Sequence, residues 1–317
     1  MSDEIDLFAK SVVELPQIPV PDVKNPIKIS YSKAQAFKSC EQKFKYAHVE
    51  LHVNDPKKPG LMPKEKAVAL ARGTFGHAVM ERACKEVMTH SFPYSQEVCV
   101  TAINNAIAWG LTQPDSQYMP DIMHQMMHWF ANVLPVNGWR ILASEQEIML
   151  PVGHDDVSGR DVVYPGTVDL IFEINGRIYV ADFKFSADEY SDDRVEIEPQ
   201  IPQYIGVLRA LNVPVVSGWY VFFRTRKYIK DINDRVKVKP VRPNDFRIKQ
   251  SFKEHLSTTG KIINAQNNPN WEPTRNAGNN CDYCDFKKLC QIELRGDDAS
   301  LKKEYDFVAN DYGYEDL

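Results

Sequence analysis

The sequence predicts an α/β fold, on three observations. The stretch Val163–Lys184 (VYPGTVDLIFEINGRIYVADFK) reads as two strands around Asn175-Gly176, the dipeptide most favoured in a tight type I′ turn. Upstream, from about 68 to 135, apolar residues recur at helical spacing. Downstream, a helical pattern near Pro199 is followed by strand patterns at Val213–Tyr228 and Arg235–Val241. Strands interleaved with helices on both sides call for a sheet covered by helices.

The hairpin carries the chemistry. A two-residue loop pairs Ile174 with Arg177 and places Asp169 opposite Asp182. Like charges directly opposite on a ladder destabilise it. Asp182 and Lys184 are two apart and share a face. Two carboxylates and an ammonium among Ile and Val point to a divalent cation with a lysine beside it. The alternative is a solvated hairpin with chance alignment of charges. The apolar residues on both faces speak against that.

In chain order, residues 1–28 hold Pro16, Pro19, Pro21 and Pro26 with little periodicity and read as an extended arm. Ser30 or Ser32 can cap a helix through AQAFKSCEQKFKYAHVE. Cys40 lies on or near its apolar stripe. Residues 51–66 read as a Pro- and Lys-rich loop, and a helix follows from about Arg72 through FGHAVMERACKEVM. His77 and Glu81 share a face of it. On its own His77 is either a satisfied polar residue or a ligand. His124 and His128 are also one turn apart, but no third ligand stands near them, and the neighbouring Met123, Met126, Met127, Trp129 and Phe130 read as helix packing. The pattern ILASEQEIMLPV reads as a strand ending at the polar turn GHDDVSGRD. SADEYSDDRVEIEP is an acidic loop, and the helix after it sets Gln200 and Tyr204 four apart. A last helix runs from about Pro243 to Asn267.

The net charge of −5 gives no global attraction to nucleic acid, but the distribution is uneven. Arg224–Glu254 carries eleven bases against four acids, whereas Arg295–Leu317 carries seven acids against three bases. The first reads as a basic strand pair, the second as an acidic tail whose aromatics (Tyr305, Phe307, Tyr312, Tyr314) suit a partner or a solvated terminus. No apolar run reaches the length of a membrane span. The opening MSDEIDLFAK lacks the layout of a signal peptide, so a cytoplasmic protein, bacterial or in a phage-infected host, is expected.

Six cysteines are present, and Cys281, Cys284 and Cys290 have the spacing C-x2-C-x5-C. In such a chain metal ligation is favoured over disulfides. Thiolate sites for zinc and for iron–sulfur clusters are normally four-coordinate. The fourth candidate is Cys40, Cys84 or Cys99, and spacing chooses neither the residue nor the metal.

Taken together, these stretches resemble the PD-(D/E)XK nuclease superfamily, and within it the RecB-like exonucleases that hold an iron–sulfur cluster, such as CRISPR adaptation nucleases and AddAB-type nuclease modules. SYSKAQAFKSCEQKFKY is similar to the family's opening helix, RGTFGHAVMERA to its histidine helix, GTVDLIF with ADFK to its signature, QIPQY to its Q-x-x-x-Y motif, and CDYCDFKKLC to its closing cysteine set. The resemblance covers about Ser30 to Cys290. One departure is Phe185, where a small hydroxyl residue commonly follows the lysine.

The resemblance implies a restriction-endonuclease-like core: a central mixed sheet flanked by helices, with a helical insertion and a cysteine-ligated clasp. The implied domain is 29–293, with a helical part at about 68–135, a catalytic core at about 139–241, a cluster-binding part at about 243–293 and a tail at 294–317. It implies His77, Asp169, Asp182 and the backbone carbonyl of Phe183 as ligands of Mg²⁺ or Mn²⁺. Lys184, Gln200 and Tyr204 would act beside them. Cys40, Cys281, Cys284 and Cys290 would hold a [4Fe-4S] cluster, or alternatively structural Zn²⁺. Arg224, Arg226, Lys227, Arg235, Lys237 and Lys239 would track a DNA backbone. The expected activity is a metal-dependent DNA exonuclease preferring single strands or ends, in recombination, repair or phage DNA processing, with a helicase or recombination partner. The alternatives are a non-catalytic DNA-binding accessory protein and a zinc-stapled protein-interaction scaffold.

Overall fold

The computed structural model describes residues 14–65 and 67–310. Residues 1–13 of the expected arm and 311–317 of the expected tail, with Tyr312 and Tyr314, lie outside the described residues. The chain forms two compact units, each made of separated segments. The first is built largely from 69–148 and 167–249, the second from 21–68, 149–166 and 250–310.

The first unit is a mixed sheet flanked by helices. Arg160–Ile174 pairs antiparallel with Arg177–Ser186, in a register running from Ile174↔Arg177 to Leu170↔Ala181. This is the register that a two-residue turn imposes. Asn175 (φ 51) and Gly176 (φ 77) both take the left-handed backbone a type I′ turn requires. Arg177–Ser186 runs parallel to Val215–Arg224, which pairs antiparallel with Val236–Val241. Arg140–Asp155 adds to the other side of Arg160–Ile174. The parallel step is bridged by the helix Gln200–Ala210, as parallel neighbours require a crossover.

Alternation along Arg177–Ser186 sorts its side chains. Ala181, Phe183 and Phe185 enter an apolar core with Leu170, Phe172, Val221 and Phe223. The helices Val68–Met88, Gln96–Gly110 and Met119–His128 supply Val79, Met80, Ile103 and Met126 to the same core. Asp182 and Lys184 take the opposite parity, toward the helix Gln200–Ala210. The loop expected between residues 186 and 198 holds a short helix, Asp192–Ile197, because the Ser191 side chain accepts the Arg194 N–H at its start.

In the second unit, Ile27–Lys28 lies parallel to Val162–Val163, so the expected arm ends in a strand. The single helix expected after Ser30 is two, Tyr31–Ser39 and Glu41–His48, broken at Cys40. Cys40 is fully extended (φ −169, ψ 116) and leaves the helical path. Ser30 does cap the first helix, accepting from the Lys33 N–H at 3.2 Å. The expected acidic tail is in part folded: Ser300–Asp306 is a helix and Phe307–Ala309 pairs with Leu61–Pro63. Phe307 is buried and stacks on Phe286 at 5.4 Å. Burial of that ring outweighs the solvation of the acids around it.

Candidate active site

The site grows from the point where the hairpin ladder stops. After Leu170↔Ala181 the strands no longer pair. There the Phe183 N–H donates to the Asp169 carboxylate at 2.6 Å, while the Ser144 hydroxyl donates to the Asp169 carbonyl at 3.3 Å. Asp169 is thus held by its neighbours on both strands, and it is buried.

His77 reaches this carboxylate from the helix Val68–Met88. Its Nδ1 lies 3.6 Å from Asp169 Oδ2 and 3.2 Å from Glu145 Oε1. The ligand atoms of His77, Glu145 and Asp169 all lie within 4.8 Å of one another, and no other His/Cys/Asp/Glu trio among the described residues is as compact. Glu145 is absent from the sequence-based set. It sits in the strand Arg140–Asp155 with φ +48, a left-handed backbone that costs energy in a non-glycine residue and is concentrated at functional sites. A signal for it exists in the sequence. Ile141 and Ala143 are buried on one parity of the strand and Ile148 on the other. Glu145 lies in that phase break.

Asp182, expected as a ligand with His77 and Asp169, lies close enough for its charge to act on both. It is outside the compact trio, and its Oδ2 lies 2.7 Å from Lys184 Nζ. Lys184 also donates to Gln200 Oε1 at 2.9 Å, and Gln200 Nε2 donates to Tyr204 Oη at 3.1 Å. One helix face therefore orients the lysine, as the four-residue spacing of Gln200 and Tyr204 anticipates.

The electrostatics follow from this crowding. Burial opposes a charged His77, but Asp169 and the hydrogen bond His77 donates to Glu145 outweigh it and push the imidazole up to about 9. Burial raises the Asp169 carboxyl well above the ordinary range, against the pull of His77 and with the repulsion of Asp182 and Glu145. Burial also disfavours the Lys184 ammonium, yet Asp182 overcomes this and keeps it protonated. Three carboxylates are gathered with one imidazole and one ammonium, an excess of negative charge that suits a cation.

Five of the six bases expected to track DNA are engaged within the chain. Arg224 meets Glu189 at 2.7 Å and Asp188 at 3.6 Å. Arg226 pairs with Asp188. Lys237 pairs with Asp234 and Lys239 with Asp192, each at 2.7 Å. Arg235 donates to the Ile229 carbonyl at 2.6 Å, and Lys227 is exposed. The acidic loop folds onto the basic strand pair, which a count of charge along the chain does not reveal. The exposed Arg194 guanidinium lies 3.7 Å above the Tyr190 ring and 3.7 Å from the Glu198 carboxylate, and Tyr190 feels the Lys184 charge.

The cysteines separate into two groups. Cys84 and Cys99 are buried in the apolar core of the first unit, where burial pushes both thiols up, Cys99 to about 11. Cys40, Cys281, Cys284 and Cys290 belong to the second unit and are partly exposed. The loop leading to the closing cysteines is tied to both sides of Cys40. Gln42 N–H donates to the Thr274 carbonyl at 3.0 Å, Thr274 N–H to Glu41 at 2.9 Å, and Asn276 to the Ser39 carbonyl at 3.0 Å.

Comparison with known proteins agrees with this geometry. No curated protein matches the chain. Two solved structures are similar at low identity. A protein from Eubacterium rectale, provisionally described as an exonuclease, is 12% identical with a TM-score of 0.47, covering 85% of this chain and 93% of its own. A protein named SSO0001 is 16% identical with a TM-score of 0.33, covering 69% of this chain and 97% of its own. Neither likeness carries function at those scores. The profile of the PD-(D/E)XK nuclease superfamily, in contrast, matches residues 28–291, which include the histidine helix, the signature hairpin and the closing cysteines. The chain is a member of the PD-(D/E)XK nuclease superfamily.

Proposed function

We propose that the protein is a divalent-metal-dependent deoxyribonuclease that hydrolyses DNA phosphodiester bonds, acting on single strands or ends. The observation that carries this reading is the compact trio of His77, Glu145 and Asp169 beside the Asp182–Lys184 pair. Carboxylate oxygens with one imidazole suit Mg²⁺ or Mn²⁺. Asp182 is buried beside the trio, its Oδ2 paired with the Lys184 ammonium at 2.7 Å, and its carboxylate adds a further oxygen donor. The donor set fits: His77, Glu145, Asp169 and Asp182 would hold the ion, with the Phe183 carbonyl. Bound there, the ion supplies the charge that polarises a phosphate and acidifies a water.

The protein's own groups do the rest. Lys184, kept protonated by Asp182, presents an ammonium to the negative charge that develops on the phosphate. Gln200 fixes that ammonium and Tyr204 fixes Gln200. Arg194, exposed and stacked on Tyr190, offers a guanidinium to a neighbouring phosphate. Labelled single- and double-stranded DNA incubated with Mg²⁺ or Mn²⁺, beside Asp182→Ala, tests the reading. Degradation by the wild type alone is expected. Equal inertness of both overturns it in favour of a DNA-binding accessory role. Recombination, repair or phage DNA processing is the setting such an activity serves, with unwinding supplied by a helicase partner.

Cys40, Cys281, Cys284 and Cys290 are proposed to hold an iron–sulfur cluster. Cys84 and Cys99 are occupied in the core, which leaves Cys40 as the fourth thiolate. Four thiolates suit either a cluster or a single zinc, and the resemblance of the closing cysteine set favours the cluster. Protein purified without oxygen should be brown and contain iron. A colourless, zinc-loaded preparation overturns this assignment.

A further inference from the structure

We propose that Phe185, seated in the space left by Gly76, is a positioning residue that sets the His77 imidazole for metal binding. The inference rests on the metal site proposed above and deepens it. Phe185 stands directly after the catalytic lysine and points to the opposite side of the strand, where it is buried. Its ring stacks on Phe223 with centroids 4.8 Å apart and planes 18° apart. The His77 imidazole meets this ring edge-on at 5.5 Å and the Phe183 ring at 6.4 Å. The two aromatic residues flanking Lys184 therefore wall the imidazole, while Glu145 and Asp169 take its Nδ1.

The wall stands only because residue 76 has no side chain. A Cβ built on Gly76 would lie 2.6–2.7 Å from three atoms of the Phe185 ring. The ring cannot simply turn aside, since Phe223 covers one of its faces. Glycine is otherwise unfavourable inside a helix, by roughly 1 kcal/mol against alanine. Residue 76 has ordinary helical φ, so no left-handed backbone explains it. The close approach of Phe185 does. Gly76 and Phe185 are a matched pair, and the metal ligand that the Phe185 ring meets is His77.

The test measures Mn²⁺ binding to the full chain without DNA, by the electron paramagnetic resonance of free Mn²⁺. Phe185→Thr should weaken binding about tenfold, the usual lower bound for removing a group that orients a ligand. Gly76→Ala should weaken binding when Phe185 is present and add little when it is replaced by Thr, because the clash is then gone. Phe185→Leu keeps apolar volume without the aromatic edge. It should give an intermediate loss, and it serves if Phe185→Thr does not fold. A purely structural role predicts a lower Tm in Phe185→Thr and Phe185→Leu with unchanged Mn²⁺ affinity, and that result overturns the proposal. Equal penalties for Gly76→Ala in both backgrounds overturn the pairing. His77→Ala separates the two levels. If it loses Mn²⁺ while the Phe185 variants do not, only the role of Phe185 fails. If it retains Mn²⁺, the metal site and the role of Phe185 fail together.

Discussion

The Glu145 carboxylate lies 3.2 Å from Nδ1 of His77, and a left-handed backbone at Glu145 aims it there. Glu145→Gln keeps the volume and a hydrogen-bonding group but removes the charge. It should weaken Mn²⁺ binding at least about tenfold and lower the nuclease rate at limiting metal. Glu147, two residues on and exposed, is the control, and Glu147→Gln should match wild type. Titration of both variants with Mn²⁺, read by calorimetry and by DNA degradation, decides this.

The Lys184–Gln200–Tyr204 chain makes a separable prediction. Gln200→Ala frees an ammonium that is held at 2.9 Å. A misplaced catalytic group costs about 100-fold, so the single-turnover rate should fall by that order while Mn²⁺ affinity stays at the wild-type value. Tyr204→Phe removes one hydrogen bond farther out and should cost less.

Asp182 is buried, and its counter-charge is the Lys184 ammonium at 2.7 Å. Lys184→Met should abolish activity and also destabilise the metal-free protein by about 2–3 kcal/mol, since it leaves a buried carboxylate unpaired and Lys184 itself is partly exposed. The double variant Asp182→Asn with Lys184→Met should recover most of that stability and none of the activity. Thermal unfolding in chelator, beside an activity assay, reads both.

If Arg194 meets a phosphate, Arg194→Ala should weaken binding of single-stranded DNA at low salt. It should also lower the slope of log affinity against log salt by about 0.7, one phosphate contact. Binding is measured by fluorescence anisotropy with Ca²⁺ in place of Mg²⁺. Lys237→Ala and Lys239→Ala, whose ammonium groups face Asp234 and Asp192, should change the slope less.

His255 gives the second unit a pH dependence. It is buried, packs edge-on to Tyr164 at 4.8 Å, and its Nε2 donates to the Ile29 carbonyl at 3.1 Å. Burial is the main cause that pulls the imidazole down to about 4. The folded value lies below the ordinary one of about 6.5, so the unfolded chain takes up the proton first. The stability is complete above pH 6.5 and is lost as pH falls from there toward 4, with roughly 2 kcal/mol gone by pH 5. His255→Gln retains the donor and should flatten this dependence in unfolding measured from pH 7 to 5.

Much of the site is legible in the sequence because its parts are local. Asn175-Gly176 fixes the turn, and the turn fixes a register that runs back to Leu170↔Ala181, so Asp169 and Asp182 are the first residues beyond the paired ladder. Gln200 and Tyr204 follow from helical spacing. Glu145 does not, because its direction depends on a backbone excursion inside a strand rather than on a motif. The pairing of Arg224, Arg226 and Lys239 is also hidden, since it depends on how 188–192 folds back. Periodicity carries through Cys40 and implies a continuous helix, whereas the hydrogen bonds that pin Thr274 and Asn276 around it come from far along the chain.

The interleaving of the two units has a consequence for dissecting the protein. Each is assembled from segments that alternate along the chain, with 69–148 and 167–249 lying between pieces of the other. No single cut yields either one whole. Removing everything beyond residue 250 spares His77, Glu145, Asp169 and Lys184, yet it strips the second unit of Cys281, Cys284 and Cys290 while leaving Cys40 behind. Truncation is therefore the wrong instrument for assigning roles to the two halves. Point substitutions are needed, because the chain is plaited rather than modular.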